Sequence, residues 1–156
     1  MADWKRVTVG LVPENEKANL PRLSRSLAHI CLRVADLDRS IRFYRDVLGL
    51  SPVFQFFDEN KKRFGIYFHF GDRNFLELFE NPGAIGPKGS FLHFCIETQD
   101  LDATLAEIEK RGWPIDRPPK MGCDGTMQAW IKDPDGNPIE IFRYTDKSLL
   151  NPWLER

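Results

Sequence analysis

The sequence predicts an α+β fold built from two copies of one strand–helix–three-strand unit, and three observations carry that prediction. The stretch His29-Ile30-Cys31-Leu32-Arg33-Val34-Ala35-Asp36-Leu37-Asp38 returns 64 positions later as His93-Phe94-Cys95-Ile96-Glu97-Thr98-Gln99-Asp100-Leu101-Asp102, with His, Cys, Asp, Leu and Asp identical. The same shift carries Leu37, Ile41 and Tyr44, apolar at helical spacing, onto Leu101, Leu105 and Ile108. A shift of 63 carries Leu76-Glu77-Leu78-Phe79 onto Ile139-Glu140-Ile141-Phe142. The chain is therefore a tandem duplication in which each half opens on a histidine and closes on a glutamate.

A chain of 156 residues, 42% hydrophobic, can bury one core but is short for two independent domains. We expect one domain over residues 27–144, with module one at 27–80 and module two at 90–144, between an N-terminal arm, 1–26, and a C-terminal tail, 145–156. The arm holds the alternating segment Val7-Thr8-Val9-Gly10-Leu11 and then a polar run with Pro13; an extra edge strand, an arm over a neighbouring subunit and a disordered leader all suit it. In module one, residues 28–34 alternate, with Ala28, Ile30, Leu32 and Val34 on one face and His29, Cys31 and Arg33 on the other. A helix follows, with Asp36 or Asp38 to cap it, Leu37, Ile41, Tyr44 and Leu48 on its apolar stripe and Gly49 to end it. Strands are predicted over 52–57, 63–70 and 74–79, and a Pro- and Gly-rich linker from Asn81 to Gly89 joins the halves. Module two repeats the order with a strand over 91–98, a helix over 101–110 ended by Gly112, and further strands. Its clearest turn is Asp133-Pro134-Asp135-Gly136-Asn137, where Pro presets φ and Gly accepts the left-handed position that closes the hairpin. The tail offers Leu149, Leu150, Trp153 and Leu154 as apolar anchors toward a partner subunit.

Composition excludes several classes of partner. The formal net charge is −1 and the basic residues are scattered, which gives no footprint for nucleic acid or an acidic membrane. Three cysteines, two of them related by the repeat, suit reduced thiols in a cytoplasm, and they read as small buried hydrophobes. The N-terminus does not look like a signal peptide, and no stretch approaches ~18 consecutive apolar residues. A small molecule is the expected partner.

Period-two alternation puts His29 and His93 on equivalent faces, and Glu77 and Glu140 opposite their apolar neighbours. A carboxylate amid an apolar strand is costly to bury without a cation, and a salt bridge to Arg33 could answer only one of the two. Two imidazoles and two carboxylates facing one cavity suit a single divalent ion such as Ni, Co, Zn, Mn or Fe, with open positions for substrate. Phe75, Phe79 and Phe142 share the glutamates' face, and Tyr67, Gln128 and Trp130 are candidate cavity walls. His69 has no histidine partner in the repeat, Lys132 taking its place, and reads as structural.

These residues resemble the vicinal oxygen chelate superfamily. The resemblance covers residues 27–144 and rests on His29 with Arg33, the run Asp36 to Tyr44, Leu48-Gly49-Leu50, Glu77, His93, and Asp133-Pro134-Asp135-Gly136-Asn137 leading to Glu140. It implies tandem βαβββ modules whose strands form a curved, cup-like mixed sheet with the helices outside, and it implies a homodimer. The His-Glu-His-Glu set is similar to that of glyoxalase I members. By that likeness His29, Glu77, His93 and Glu140 are metal ligands, and Glu140, with Glu77 as its pseudo-symmetric partner, is the catalytic base. Arg33 and Asn81 hold the γ-glutamyl end of glutathione. The compact form of the chain implies nickel or cobalt over zinc. The loop Lys120-Met121-Gly122-Cys123-Asp124-Gly125-Thr126 departs from the basic, Gly-rich turn of the family: Lys120 is the nearest cation, and Asp124 would repel a carboxylate. The expected activity is a lyase or isomerase acting through a metal-stabilised enediolate on the hemithioacetal of a 2-oxoaldehyde and a thiol. The alternatives are a metal-dependent isomerase or epimerase of another hydroxycarbonyl compound, and a non-catalytic, antibiotic-type binding protein.

Overall fold

The computed structural model describes residues 26–83 and 90–154, together with positions 12, 13, 15 and 24. The alternating segment Val7 to Leu11 and residues 84–89 of the linker lie outside the described residues. Module one runs β1 (His29–Val34), α1 (Leu37–Arg42), β2 (Ser51–Phe57), β3 (Arg63–Gly71) and β4 (Asn74–Glu80). Module two runs β5 (Phe94–Glu97), α2 (Leu101–Lys110), β6 (Arg117–Met121), β7 (Met127–Lys132) and β8 (Pro138–Arg143). Each module folds into a four-stranded mixed sheet, in the orders β1-β4-β3-β2 and β5-β8-β7-β6. The first and last strands of each module pair in parallel, and the other neighbours are antiparallel. The α+β class and the βαβββ order read from the repeat are those of the molecule.

The two helices start alike. Asp36 and Asp100 each accept a hydrogen bond from the backbone N–H three residues on, satisfying a donor that the first turn leaves free. They finish differently. After Arg42 the first helix widens into a π-helical turn, Phe43–Val47, whose following amide, Leu48 N, bonds the Phe43 carbonyl. A π-turn takes up one extra residue without breaking the helix. That residue is the slip between the two repeat shifts, since Leu37 maps onto Leu101 at 64 while Gly49 maps onto Gly112 at 63. The turn keeps Phe43, Tyr44 and Val47 buried despite the insertion.

The core faces of the sheets are covered by these helices. Leu32, Val34, Ile66, Phe68, Leu76 and Leu78 from sheet one, and Phe94, Ala129, Ile131, Ile139 and Ile141 from sheet two, join Leu37, Ile41, Leu101, Leu105 and Ile108 in one apolar cluster. The modules are then fastened by polar contacts. Tyr44 Oη donates to Asp133 Oδ2 at 2.9 Å, Ala35 N donates to Asp135 Oδ2 at 3.0 Å, and Arg111 Nη1 donates to the Val47 carbonyl at 2.9 Å. Phe43 packs on Trp113, with ring centroids 4.6 Å apart. Asp133 is 3% exposed and also accepts from Asn137 N and Nδ2 and from Asp135 N, so the Asp-Pro-Asp-Gly-Asn hairpin closes on itself and docks on module one through two carboxylates, Asp133 and Asp135. Burial pushes the Asp133 carboxyl up against the lowering effect of these donors, and it pushes the Tyr44 phenol well up.

The tail folds back on its own chain. Thr145 Oγ1 donates to the Gly125 carbonyl and Leu149 N to the Asp124 carbonyl, while Leu149, Leu150, Trp153 and Leu154 remain exposed.

Removing one donor from a buried carboxylate leaves it short of a partner, so Tyr44→Phe is expected to lower stability by about 1.5–3 kcal/mol. A urea unfolding series reads this as a lower midpoint at unchanged slope; an unchanged midpoint would show that the Tyr44–Asp133 bond does not hold the modules together.

Candidate functional site

Register and side-chain parity build two like half-sites. In module one, β1 lies parallel to β4 with His29 opposite Phe75, Cys31 opposite Glu77 and Arg33 opposite Phe79, so these six side chains share one sheet face. The small Cys31 leaves room for His29 to reach diagonally, and its Nε2 comes to 3.7 Å from Glu77 Oε2. Tyr67, on the other side of β4, is directly opposite Glu77, with its ring 5.7 Å from that of His29. In module two, Cys95 and Trp130 flank Glu140 in the same way. His93 stands immediately before β5, puts Nε2 3.2 Å from Glu140 Oε2 and meets the Trp130 ring edge-on at 4.8 Å. Each half thus holds a glutamate between a cysteine and an aromatic ring, with a histidine at its carboxylate.

The glutamates are the buried members, at 14% and 13% side-chain exposure against 44% and 35% for the histidines. Among the described residues, the ion-pair partner of each glutamate is its own histidine, so Arg33 does not neutralise Glu77. The thiols also respond to the carboxylates. Partial desolvation, then the hydrogen bond and charge of Glu77, push Cys31 up to about 11; desolvation of the thiol by its neighbours, then the charge and hydrogen bond of Glu140, push Cys95 up further. Burial, then Glu77, raises the Tyr67 phenol. The expectation that the cysteines are small buried hydrophobes is corrected: all three are exposed, free residues. Parity is the reason, since Cys31 and Cys95 share the open face with His29 and His93. Their role beside the glutamates was missed, although their identity in both repeats was the signal.

Within one chain the two pairs do not combine. Among the described residues, no three His, Cys, Asp or Glu side chains converge as a metal site. The repeat left open whether the two pairs meet within one chain or across two; in this chain, whose modules are joined through their helices and the 133–137 hairpin, they stay apart. A cleft of about 450 Å³ does open between the modules; His29, Phe75, Cys95 and Glu97 help to line it, and Glu77, His93 and Glu140 do not.

The expected substrate contacts divide. Tyr67 and Trp130 stand beside the glutamates, and Phe142 shares the face of Glu140, opposite Gln128. Arg33 is exposed on β1. Asn81 follows β4; its N donates to the Val34 carbonyl and its Oδ1 accepts from Gly83 N. Lys120 is exposed on β6, opposite Gln128. Asp124 Oδ1 accepts from Thr126 N and Oγ1, which commits that oxygen to its own turn. His69 contacts the Asp72 carbonyl at 3.3 Å and packs on Phe75, as a structural residue does.

Paired βαβββ modules with matched His/Glu half-sites define a class, and the comparisons agree. Residues 26–141 match the model of the Glyoxalase/Bleomycin resistance protein/Dioxygenase superfamily, and the chain belongs to it. The chain is 33% identical over 128 residues to an Arabidopsis thaliana lactoylglutathione lyase, a match that takes in 77% of this chain but only 44% of that longer protein. It is 34% identical over 123 residues to a probable lactoylglutathione lyase of Vibrio cholerae, covering 75% of this chain and 89% of the relative. Among solved structures, the trypanothione-dependent glyoxalase I of Leishmania major is similar at 31% identity and a TM-score of 0.62, over 77% of this chain and 87% of that one.

Because the Cys31 and Cys95 thiols are pushed up, their reactive thiolate forms are scarce at neutral pH and appear only as pH rises. In metal-free protein, alkylation of Cys31 by iodoacetamide at pH 8 is expected to run about a hundredfold slower than in a free cysteine peptide. Peptide-resolved mass spectrometry measures this; equal rates would show that the surroundings of Cys31, desolvation first and Glu77 second, do not hold its thiol protonated.

Proposed function

We propose that the chain is a metal-dependent, glyoxalase I-type lyase or isomerase that works as a homodimer in the cytoplasm. The observation that carries the reading is the pair of pseudo-equivalent His/Glu couples, His29–Glu77 and His93–Glu140, each with a largely buried carboxylate. Two imidazole nitrogens and two carboxylates fit a borderline divalent ion, with nickel, cobalt or zinc ahead of manganese or iron. Since each chain presents the four donors as two separate pairs, we read the complete site as one pair from each of two chains. Free thiols fit a reducing compartment.

The metal supplies Lewis-acid stabilisation of negative charge on substrate oxygens when it is bound. Proton transfer falls to this chain's own residues. Glu140 takes the proton from C1 of a 2-oxoaldehyde–thiol hemithioacetal and helps to return it at C2, giving a 2-hydroxyacyl thioester. Glu77 is its counterpart, and Tyr67 and Trp130 keep water from the flanks of the two carboxylates. Arg33 and Asn81 hold the γ-glutamyl end if the thiol is glutathione, with Lys120, Gln128 and Phe142 along the opposite wall. The same proton transfer on a thiol-free hydroxycarbonyl compound is the second reading. It is favoured by the 120–126 loop, where Lys120 points from an exposed edge and an acidic residue closes the turn.

Chelated protein reloaded separately with nickel, cobalt, zinc and manganese is expected to form thioester from methylglyoxal and glutathione. Glu140→Gln is expected to keep its metal and lose about 10²–10⁴-fold in kcat. Unchanged turnover in Glu140→Gln would remove the base assignment; metal bound without thioester, but with isomerisation of a thiol-free hydroxyketone, would favour the second reading.

A further inference from the structure

Residues 145–149 lie beyond the stretch that matches the family, 26–141, yet they are built into the turn that borders the second half-site. That turn, 122–126, joins β6 to β7 and closes on itself. Gly122 N donates to the Thr126 carbonyl at 2.7 Å and Gly125 N to the Gly122 carbonyl at 3.2 Å, while Asp124 Oδ1 accepts from Thr126 N and Oγ1. The tail then ties its tip from outside. Thr145 Oγ1 donates to the Gly125 carbonyl at 2.6 Å, and Leu149 N donates to the Asp124 carbonyl at 2.9 Å. Between these two bonds Gly125 passes close under Lys147: a Cβ on it would stand 2.6 Å from the Lys147 carbonyl carbon, and its φ of +81° is one that glycine adopts without strain. Thr145 also shapes the tail. Its hydroxyl accepts from Lys147 N at 3.1 Å, and its carbonyl accepts from Ser148 N at 3.0 Å and Asn151 Nδ2 at 2.9 Å. The junction is closed to solvent, with Thr126 1% and Ser148 6% exposed. The corresponding turn of module one, 58–62, has no such tie: Asp58 accepts from Asn60 N and Lys62 N, and among the described residues no segment outside that turn hydrogen-bonds its backbone.

The turn leads into the face of Glu140. Thr126 Oγ1 accepts from Gln128 Nε2 at 3.4 Å, and Gln128 stands opposite Phe142 on that face and opposite Lys120 on β6. Gly122 lets Asp124 and Gln128 come together, since a Cβ there would stand 2.6 Å from Asp124 Oδ1 and closer still to Gln128 Nε2. Asp124 also lies within electrostatic reach of Tyr144, whose phenol is raised by burial first and then by the charges of Glu97, Cys95 and Asp124. A continuous set of hydrogen bonds thus runs from Thr145 and Leu149 through Gly125, Asp124 and Thr126 to Gln128. Resting on the function proposed above, we propose that residues 145–149 brace the active site, with Thr145 as the positioning residue: they fix the 122–126 turn as a standing wall beside Glu140, so that substrate meets Asp124 and Gln128 already in place. A turn tied only at its own base has to be ordered when substrate arrives, at a cost in affinity. The brace therefore acts on binding, while proton transfer stays with Glu140.

Hydrogen exchange of the full chain, read by mass spectrometry, tests the brace, and steady-state kinetics tests what it does. Thr145→Val, which keeps the shape and removes the hydroxyl, is expected to speed exchange in the 122–126 peptide about tenfold and to leave α2 and β4 as they are. Thr145→Ser, which keeps the hydroxyl, is expected to exchange like the parent. Gly125→Ala, which drives the Lys147 carbonyl away, is expected to loosen the same peptide by a separate route. With nickel-loaded protein, methylglyoxal and glutathione, Thr145→Val is expected to raise KM about fivefold at unchanged kcat, and Thr145→Ser to restore it. Unchanged exchange of the turn in both Thr145→Val and Gly125→Ala overturns the brace. Faster exchange with the parent's KM, or with a fall in kcat alone, overturns its role in positioning the wall. A parent that forms no thioester removes the hemithioacetal reaction, and exchange alone then decides the brace.

Discussion

The site depends first on a register. A parallel strand pair places side chains in fixed rows, and in both modules that register puts a cysteine opposite the glutamate with the histidine two residues earlier. A slip of one residue would turn the histidine and its neighbours into the core and expose Leu32 and Ile96 instead. The apolar face prevents it, since Leu32, Val34, Leu76 and Leu78 are all nearly or fully buried. The geometry of each His/Glu couple is thus a by-product of the hydrophobic alternation on the other side of the same strands.

What the core does for one face, the fastening of the modules does for the other. Tyr44, Ala35 and Arg111 place the inter-module hydrogen bonds on helices, strand ends and the 133–137 hairpin. These contacts leave the glutamate-bearing faces unspent. Phe54 and Phe64, whose rings lie on Tyr67 and Phe79, are exposed for the same reason. Each chain is well supplied with contacts that hold it together and offers two open, chemically matched half-sites.

Much of this was legible in the sequence because the repeat supplies an internal comparison. The α2 span was read to the residue, and the strands of module one to within a residue at each end, since alternation and turn residues agree there. The unequal shifts of 64 and 63 contained the π-turn, but periodicity alone reads the first helix as a regular one. The leading strand of module two was read too long: β5 spans only Phe94–Glu97, so His93 reaches its glutamate from outside the ladder. Chemistry was less legible than folding. Parity assigned the cysteines to the polar face, while their residue type suggested burial, and the face won. Whether the two couples meet is a matter of how modules pack and chains associate, which no local pattern records.

The central claim is that each complete site takes His29 and Glu77 from one chain and His93 and Glu140 from another. Its most direct test uses differently tagged His29→Ala and His93→Ala chains, each homodimer expected to lack intact sites, from which the mixed dimer is purified and its metal and thioester formation measured. Sharing between chains puts both lesions in one site and leaves the other whole, so the mixed dimer is expected to regain about half of the parent's metal and turnover. A mixed dimer as empty and inactive as the two homodimers would contradict the shared site.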